Sequence, residues 1–363
     1  MHDLFFLPKK KSSLEYRIRE LCSLFRENNN IPKFIYGINE YALSIIEKCE
    51  ISGFIDDFRE EKEFMGKPIL RLEEVPKDSI IISAIVGIIP ITIKKRLQKA
   101  GFKHLDYFSF CRYSGLKLNR NFLFDFEDFK IDFEKNIEKY EKIFKLLKDK
   151  KSKDTFQRLI NFRLSYDLTY MDVFEDKRDE QYFEHFVKLS KEEVFLDVGG
   201  FNGDTTLQFL EKSPGYKAIL LFEPDEKNLT IAKERLEGFR NIYFFNIGLY
   251  NRRGYLKFHR DKASGKITDT GEIEIFVDTL DNVLKDSPTF IKMDVEGAER
   301  EVIDGAIQTI KKYTPKMAIA AYHRFDDLWA IPEKVLSICD KYSLYLRHYT
   351  EGFTETVFYF IIN

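Results

Sequence analysis

The sequence has little of several features that would assign it to a specialised class of protein. Its four cysteines, Cys22, Cys49, Cys111 and Cys339, are scattered without any close pair. This spacing fits reduced, buried thiols better than a disulfide framework or a zinc site. Neither sign of charge dominates, since 58 basic residues stand against 60 acidic ones. Without a basic excess, nucleic acid is not an expected partner.

Long hydrophobic runs are also missing. No apolar stretch approaches the length of about 18 residues that a transmembrane helix needs. At the N-terminus, the apolar residues of MHDLFFLPKKKSS precede the charged ones, which is the reverse of a secretory signal peptide. We therefore expect a cytoplasmic protein without a transmembrane segment.

Two regions alternate strand and helix patterns, as expected of an α/β protein of 363 residues with more than one domain. Residues 1–115 are predicted to form a small, doubly wound, Rossmann-like domain. Its first turn, GINEYA, has Gly37 alone where a dinucleotide fingerprint has three glycines, and Asp56 and Asp57 follow its second strand. Pyrophosphate binding is thus not expected there, and the ligand of this domain stays open.

The segment 116–190 is predicted to be a helical connector, in which the frequent phenylalanines serve packing. Residues 191–363 are predicted to form the second α/β domain. Parallel strands are expected at 193–197, 218–223, 241–246, 289–294 and 316–321, and helices at 204–212, 226–237, 299–313 and 332–342. LKFHR and EIEIFV predict an inserted hairpin, and the short connection between LYLRHY and ETVFYFII requires an antiparallel pair. A seven-stranded sheet with one reversed strand follows.

The first turn of the second domain, in EVFLDVGGFNGDTT, is rich in glycine but lacks the Gly-x-Gly-x-x-Gly spacing of pyrophosphate sites. A ligand that has an adenosine but no phosphates suits this turn, and S-adenosylmethionine is such a ligand. Asp197 and the glycines Gly199 and Gly203 would allow close approach of the backbone. Asp204 and Thr205, with Thr206 beside them, open the following helix and would meet the ligand's polar groups.

Two further strand ends extend the same prediction. Glu223 lies 26 positions beyond Asp197, near the separation of about 20 at which an acid accepts hydrogen bonds from both ribose hydroxyls. Asn246 closes the next strand and is a candidate for the adenine edge, although a turn asparagine can equally serve its own backbone.

The last two strand ends carry candidate catalytic residues. Asp294 and Glu296 belong to IKMDVEGAERE, and His323 belongs to AAYHRFDDL. An alcohol needs a base or a metal to lose its proton near neutral pH, and His323 is the candidate base. Alternatively, Asp294, Glu296 and His323 could hold a divalent cation such as magnesium or manganese, although no spacing enforces a metal site.

Four segments, FLDVGGFNGDTT, LLFEPDEKN, IKMDVEGAEREVIDGA and AYHRFDDL, occur in this order and resemble the FkbM-type methyltransferases. The resemblance extends over roughly residues 180 to 363, and K-x-D-V-E-G-A-E is its most specific part. It implies a class I methyltransferase fold that uses S-adenosylmethionine to methylate hydroxyl groups of natural products and glycans. It further implies a donor site lined by Asp197, Gly199, Gly203, Glu223 and Asp294, with Glu296 and His323 facing the acceptor. Gly200 stands where relatives often have alanine.

The expected function is therefore an O-methyltransferase acting on a sugar or glycan precursor, including a nucleotide-linked sugar as one acceptor class. Two alternatives remain at the level of sequence. A nicotinamide-dependent oxidoreductase lacks its glycine fingerprint in both α/β regions. A non-catalytic scaffold that binds a sugar nucleotide would keep the fold without the chemistry. The sequence does not specify the acceptor, the position methylated or the oligomeric state.

Overall fold

The computed structural model describes residues 12–28, 30–260, 265–268 and 270–362. Most of the N-terminal segment MHDLFFLPKKKSS, which was predicted not to be a signal peptide, lies outside the described residues. Within the described part of the chain, no helix is long and apolar enough to cross a membrane. The chain forms two compact units. The first unit comprises 1–134, 157–176 and 349–354, and the second comprises 135–156, 177–348 and 355–363. The boundaries at 115 and 190 stay a prediction.

The first unit contains a six-stranded sheet with the order β3-β4-β2-β1-β5-β6, in which only β3 is antiparallel to its neighbour. The strands KFIY and IIIS are fully buried, which explains their near-continuous aliphatic character. The elements in chain order are α1 (Ser12–Glu27), β1 (Lys33–Tyr36), α2 (Glu40–Ile46), β2 (Gly53–Ile55), β3 (Glu63–Phe64), β4 (Lys67–Leu70), β5 (Ile80–Ser83), α3 (Pro90–Lys99), β6 (Lys103–Asp106) and α4 (Tyr107–Tyr113).

The first turn of this sheet is occupied by protein side chains. A Cβ atom on Gly37 would lie 2.6 Å from Ile85 Cδ1, so the turn is already packed. Asp57, which follows β2, accepts hydrogen bonds from the hydroxyl of Tyr36 and, at 2.5 Å, from the guanidinium of Arg96. The Asp57 carboxyl, which could otherwise bind a ribose, is therefore already hydrogen-bonded to protein side chains.

Two long helices, α5 (Phe126–Leu146) and α6 (Lys150–Ser165), occupy the middle of the region 116–190 that was predicted to be helical, whereas residues 166–190 form no α-helix. Phe122, Phe126, Phe129 and Phe162 are buried in the first unit, and Phe126 meets the ring of Phe162 edge-on. The frequent phenylalanines therefore serve packing, as predicted. All four cysteines are free. Three are buried and Cys339 is half-buried.

The second unit contains the predicted seven-stranded sheet, with the order β16-β17-β15-β14-β7-β8-β9 and β17 antiparallel to both neighbours. A smaller sheet of four strands has the order β10-β13-β11-β12. The elements in chain order are β7 (Val194–Val198), α7 (Asp204–Lys212), β8 (Ala218–Phe222), α8 (Glu226–Arg235), β9 (Ile242–Phe245), β10 (Gly248–Leu249), β11 (Gly254–Arg260), β12 (Gly265–Ile267), β13 (Ile273–Asp278), α9 (Leu280–Val283), β14 (Phe290–Met293), α10 (Glu299–Asp304), α11 (Ile307–Tyr313), β15 (Lys316–Ala320), α12 (Asp327–Ile338), β16 (Ser343–His348) and β17 (Thr356–Ile361).

The register of the large sheet brings the carboxyl ends of its parallel strands to one edge. Val198, the last residue of β7, pairs with Met293 on one side and with Phe222 on the other. The side chains that follow β7, β8, β14 and β15 therefore meet over this edge. Because β17 runs in the opposite direction, it begins at the edge where the others end.

Three details differ from the sequence prediction. The helix expected at 332–342 is α12, which starts at Asp327 and contains Pro332 in its second turn, where the proline removes the N–H that would otherwise bond to the carbonyl of Leu328. The helix expected at 299–313 is divided into α10 and α11 around Gly305, whose Cβ position would lie 2.0 Å from the carbonyl oxygen of Tyr250. The predicted hairpin exists as β11 and β13, but two short strands extend it into a sheet.

Candidate functional site

A cavity of about 310 Å³ lies at the carboxyl edge of the large sheet, entirely within the second unit. Its wall includes the glycine turn after β7, the residue after β8, the residues after β14, and apolar side chains of the small sheet such as Phe258 and Ile275. Ligands of open parallel sheets bind at this location. Among the predicted site residues, the lining contains Gly199, Asp204, Thr205, Glu223, Asp294 and Glu296.

The floor of the cavity is the turn after β7, which needs glycine. The backbone of Gly199 has φ +78°, and a Cβ atom there would lie 1.8 Å from the carbonyl oxygen of Asp294. The N–H groups of Gly199 and Gly200 both donate to the carbonyl of Phe222 at 3.0 Å. These bonds fix the turn between two strands, and a side chain at Gly199 would break the arrangement.

Asp197 supports the turn from behind and does not line the cavity. Its side chain is fully buried, its Oδ1 lies 3.1 Å from Lys292 Nζ, and its Oδ2 accepts a hydrogen bond from Thr206 at 2.8 Å. Lys292 in turn donates to the carbonyl of Gly199 at 2.6 Å. Burial disfavours the charged amine, but Asp197 and Asp294 outweigh it and raise the pKa of Lys292. The predicted direct contact of Asp197 with the ligand is thus corrected to an indirect one.

Gly203 and Asn246 also lie outside the cavity lining. Gly203 precedes α7 with φ +84°, a left-handed conformation that glycine adopts without strain. The side-chain amide of Asn246 donates to the carbonyls of Glu223 and Pro224 at 3.1 and 2.9 Å. Asn246 therefore secures the turn after β8, whereas the sequence-based alternative to adenine binding was that it serves its own backbone.

Glu223 faces the cavity with a fixed orientation. Its Oε2 accepts from the backbone N–H of Phe201, and its Oε1 accepts from the N–H of Asp225, both at 2.9 Å. Each carboxyl oxygen has a second lone pair, so both can still accept hydrogen bonds from a ligand. Burial raises the pKa of Glu223 to about 7 in spite of the two amide donors. Two acceptor atoms at a fixed spacing suit a pair of adjacent hydroxyl groups.

At the other end of the cavity, the residues after β14 and β15 form a cluster around His323. Its Nε2 lies 3.5 Å from Asp294 Oδ1 and 3.3 Å from Glu296 Oε2, and its Nδ1 lies 2.9 Å from Glu299 Oε1. Asp294 Oδ2 accepts a hydrogen bond from Tyr182 at 2.7 Å, whereas Asp294 Oδ1 has no hydrogen-bond donor among the described residues. The three predicted catalytic residues are therefore brought together.

The charge state of His323 follows from its surroundings. Burial disfavours the imidazolium, but Glu299 and Glu296, with Asp294, outweigh burial and raise the pKa of His323 well above its usual value. This arrangement therefore favours the protonated form of His323, in which neither ring nitrogen has a lone pair to accept a proton. Its side chain lies behind Asp294 and Glu296 and is absent from the cavity lining.

Several cavity residues were not anticipated from the sequence. Tyr182 and Gln181 come from the predicted connector, Glu355 precedes the reversed strand, and Tyr322 and Lys292 flank predicted positions. Of these residues, only Glu355 could have been predicted from the sequence, because a reversed strand must begin at the edge where the parallel strands end.

Strained backbone also gathers around the cavity. The described residues include nine non-glycine positions with positive φ. Four of the nine line the cavity: Tyr182, Phe201, Glu296 and Glu355. Such conformations cluster at functional sites, because the surrounding structure must hold them in place.

Comparison with known proteins agrees with this geometry. Residues 197–349 match the methyltransferase FkbM domain. The chain is 25% identical to the 2-O-methyltransferase NoeI of Sinorhizobium fredii strain NGR234, over 33% of this chain, and it spans 59% of the length of that relative. The crystal structure of methyltransferase FkbM from Methylobacillus flagellatus KT superimposes with a TM-score of 0.75 at 24% identity, covering 99% of this chain and 96% of the other. That likeness establishes the fold, and the match to the FkbM methyltransferase domain covers the segment 197–349.

Proposed function

We propose that this protein is an O-methyltransferase that transfers a methyl group from S-adenosylmethionine to a hydroxyl of a sugar or glycan precursor. The observation that carries the proposal is the position of Glu223, whose two oxygens are held by backbone amides at the cavity wall, next to the glycine turn. The matched family and the S. fredii relative, a 2-O-methyltransferase, support methyl transfer to oxygen.

The residues of the cavity fit the donor. Glu223 would hold the ribose hydroxyls, and the turn at Gly199 would allow backbone contact. Asp204 and Thr205 lie where α7 begins and would meet the amino acid part of the donor. The carboxyl group of Asp294, which lines the cavity, fits an ammonium group or an acceptor hydroxyl. When bound, S-adenosylmethionine would supply an electrophilic methyl carbon on a sulfonium centre.

The charges of the lining favour a neutral acceptor over a nucleotide-linked sugar. Two cationic side chains, Arg178 and Lys292, reach the cavity, and Lys292 is already paired with Asp197. The acidic lining residues are Asp204, Glu223, Asp294, Glu296 and Glu355. A phosphate group entering this cavity would meet mostly like-charged neighbours, whereas a sugar hydroxyl would find acceptors on every side.

The chain's own groups would act by position and by electrostatics. Asp294, held by Tyr182, would orient the hydroxyl, and the apolar residues Phe258 and Ile275 would limit the access of water. His323 would hold Asp294 and Glu296 in place as a buried cation. This role replaces the sequence-based expectation that His323 is the base.

The proposal is tested by incubating the intact protein with methyl-labelled S-adenosylmethionine and extracted glycan precursors, followed by identification of the labelled species. We expect label on a sugar oxygen. Label on nitrogen or carbon, or on a nucleotide-linked sugar alone, would contradict the acceptor assignment. An Asp294→Asn variant should lose label while an Asp304→Asn variant should keep most of it, because Asp294 lines the cavity whereas Asp304 pairs with Lys334 outside the cavity lining.

The two rival functions make different predictions. A nicotinamide-dependent oxidoreductase should bind NADH, which a fluorescence titration detects, and neither glycine turn of this chain has the required spacing. A sugar-nucleotide scaffold should bind uridine diphosphate sugars without transferring label. The match to a methyltransferase family disfavours the oxidoreductase.

A divalent cation is the second route to activating the hydroxyl. Potential ligand atoms of Asp294, Glu299 and His323 lie within 4.8 Å of one another. The candidate ligand set of the structure therefore contains Glu299, whereas the set predicted from the sequence contained Glu296. A cation would first have to displace the proton that the pKa of His323 favours. Loss of methyl transfer on chelation, with recovery on addition of manganese, would support the cation.

We also propose that the first unit is a Rossmann-like domain. Five parallel strands in the order β4-β2-β1-β5-β6 support that assignment. The packed turn at Gly37 and the paired Asp57 argue against a nucleotide there.

A further inference from the structure

Glu355 is a cavity residue whose position follows from the topology of the sheet. It directly precedes β17, the reversed strand, and the N–H of Ala321 donates to the carbonyl of Thr356 at 2.8 Å. This pairing sets Glu355 beside the residues that follow β15. Glu355 therefore lies at the same rim as Asp294 and Tyr322, and all three line the cavity.

The backbone and side chain of Glu355 are both held in place. Its φ of +66° is unusual for a residue with a Cβ atom and needs support from its surroundings. Its Oε2 accepts a hydrogen bond from Gln181 at 2.8 Å, and the hydroxyl of Tyr322 lies 3.5 Å from both carboxyl oxygens. A carboxyl group in a strained but fixed position facing a cavity is typical of a residue with a chemical role.

The charged groups around Glu355 set its proton affinity. Burial is the largest influence and the carboxyl of Asp294 adds to it, whereas the amide of Gln181, together with His323 and Arg178, opposes them. The balance raises the pKa of Glu355 to about 7. A general base is most effective when its pKa lies near the working pH. Glu355 meets that condition, whereas His323 is held in its protonated form.

On the basis of the proposed function, we propose that Glu355 is the general base that removes the proton from the acceptor hydroxyl. The hydroxyl oxygen would form a bond to the donor methyl carbon while its proton moves to the Glu355 carboxylate. The carbon–sulfur bond breaks, and its electron pair stays on sulfur. Charge balances, because one sulfonium and one carboxylate become a neutral thioether and a neutral carboxylic acid.

The test compares Glu355→Gln and Glu355→Asp with Glu333→Gln, a carboxyl-to-amide control at a surface ion pair with Lys139. Transfer of labelled methyl groups to extracted glycan precursors is measured between pH 5.5 and 9, and donor binding is measured by calorimetry. We expect wild-type kcat/KM to rise with pH up to about 7 and then level off. At saturating donor, kcat/KM for the acceptor should fall about 100-fold or more in Glu355→Gln and lose its pH dependence. Glu355→Asp should keep part of the rate, and all three variants should bind the donor.

A second measurement needs no acceptor. Carboxyl carbons of ¹³C-labelled glutamate are titrated by NMR in the intact protein, and the signal absent from Glu355→Gln is assigned to Glu355. We expect this signal to titrate near pH 7. A midpoint below pH 5, or a Glu355→Gln variant with the wild-type rate and pH profile, would overturn the proposal. Failure of the wild-type protein to bind S-adenosylmethionine would instead refute the proposed function itself.

Discussion

Replacing Lys292 with methionine should destabilise the second unit strongly and disorder the donor site. Lys292 is almost fully buried, pairs with Asp197 at 3.1 Å and donates to the carbonyl of Gly199 at 2.6 Å. Removing one partner of a buried ion pair costs about 3–5 kcal/mol, because the other charge is left without compensation. For a domain of this size, that loss corresponds to a fall in Tm of roughly 10 °C.

A double-mutant cycle separates the ion pair from simple loss of packing. Lys292→Met combined with Asp197→Asn removes both charges, and we expect it to recover at least about 1 kcal/mol relative to Lys292→Met alone. Lys334→Met is the matched control. Lys334 forms a partly exposed pair with Asp304 at 2.6 Å, and its loss should cost less than about 1 kcal/mol.

The assay is thermal and urea denaturation followed by circular dichroism, with calorimetric titration of S-adenosylmethionine on each folded variant. Donor affinity should fall in Lys292→Met, because the carbonyl of Gly199 loses the contact that holds the turn. If Lys292→Met lowered Tm no more than Lys334→Met, the reasoning that the buried pair supports the glycine turn would be wrong.

Three further predictions concern single residues. Gly200→Ala would place a Cβ atom 2.4 Å from Leu221 Cγ, so it should lower both Tm and donor affinity, which denaturation and calorimetry measure. Glu223→Gln should weaken donor binding about 10- to 100-fold at pH 8 by calorimetry. Burial raises the pKa of Glu223 to about 7, so between the pKa of the unfolded chain and pH 7 the folded protein binds a proton that the unfolded chain does not. The stability that this proton contributes is lost as pH rises through 7. In urea denaturation, Glu223→Gln should therefore stabilise the ligand-free protein more at about pH 8 than at about pH 5. Thr92→Val removes the 2.5 Å hydrogen bond to Glu351 and should cost about 1.5–3 kcal/mol in urea denaturation without changing donor affinity, since both residues belong to the first unit.

The strands of the second unit and the direction of its reversed strand were predictable, because hydrophobic runs and short connections determine them. The run ETVFYFII after a five-residue gap could only return antiparallel, and β17 does so. Element ends were less predictable. Pro332 was taken as the first residue of a helix, whereas the helix starts five residues earlier at Asp327.

The candidate site was predictable where a residue directly follows a strand and turns toward the carboxyl edge. Glu223 and Asp294 satisfy that condition and line the cavity. Asp197 does not satisfy this condition, because it lies within β7, where its side chain pairs with Lys292 behind the turn. Tyr182 and Gln181 could not be found, because nothing in a helical pattern before β7 indicates that its loop returns over the sheet.

The protonation state of His323 could not be predicted from the sequence alone. The sequence places one histidine at a strand end, which suggests a base. Only the structure shows that Asp294, Glu296 and Glu299 converge on its ring and raise its pKa. Interactions of this kind depend on distances of 3–4 Å between residues that are far apart in the chain.

The central claim is that Glu223 binds the ribose of S-adenosylmethionine in the cavity over the sheet edge. A crystal structure of the intact chain with S-adenosylhomocysteine tests it most directly. We predict both ribose hydroxyls within 3 Å of the Glu223 oxygens, at about the usual hydrogen-bond distance, with the sulfur directed toward Asp294 and Glu355. A ligand bound elsewhere, or a ribose that leaves Glu223 without contact, would contradict the account.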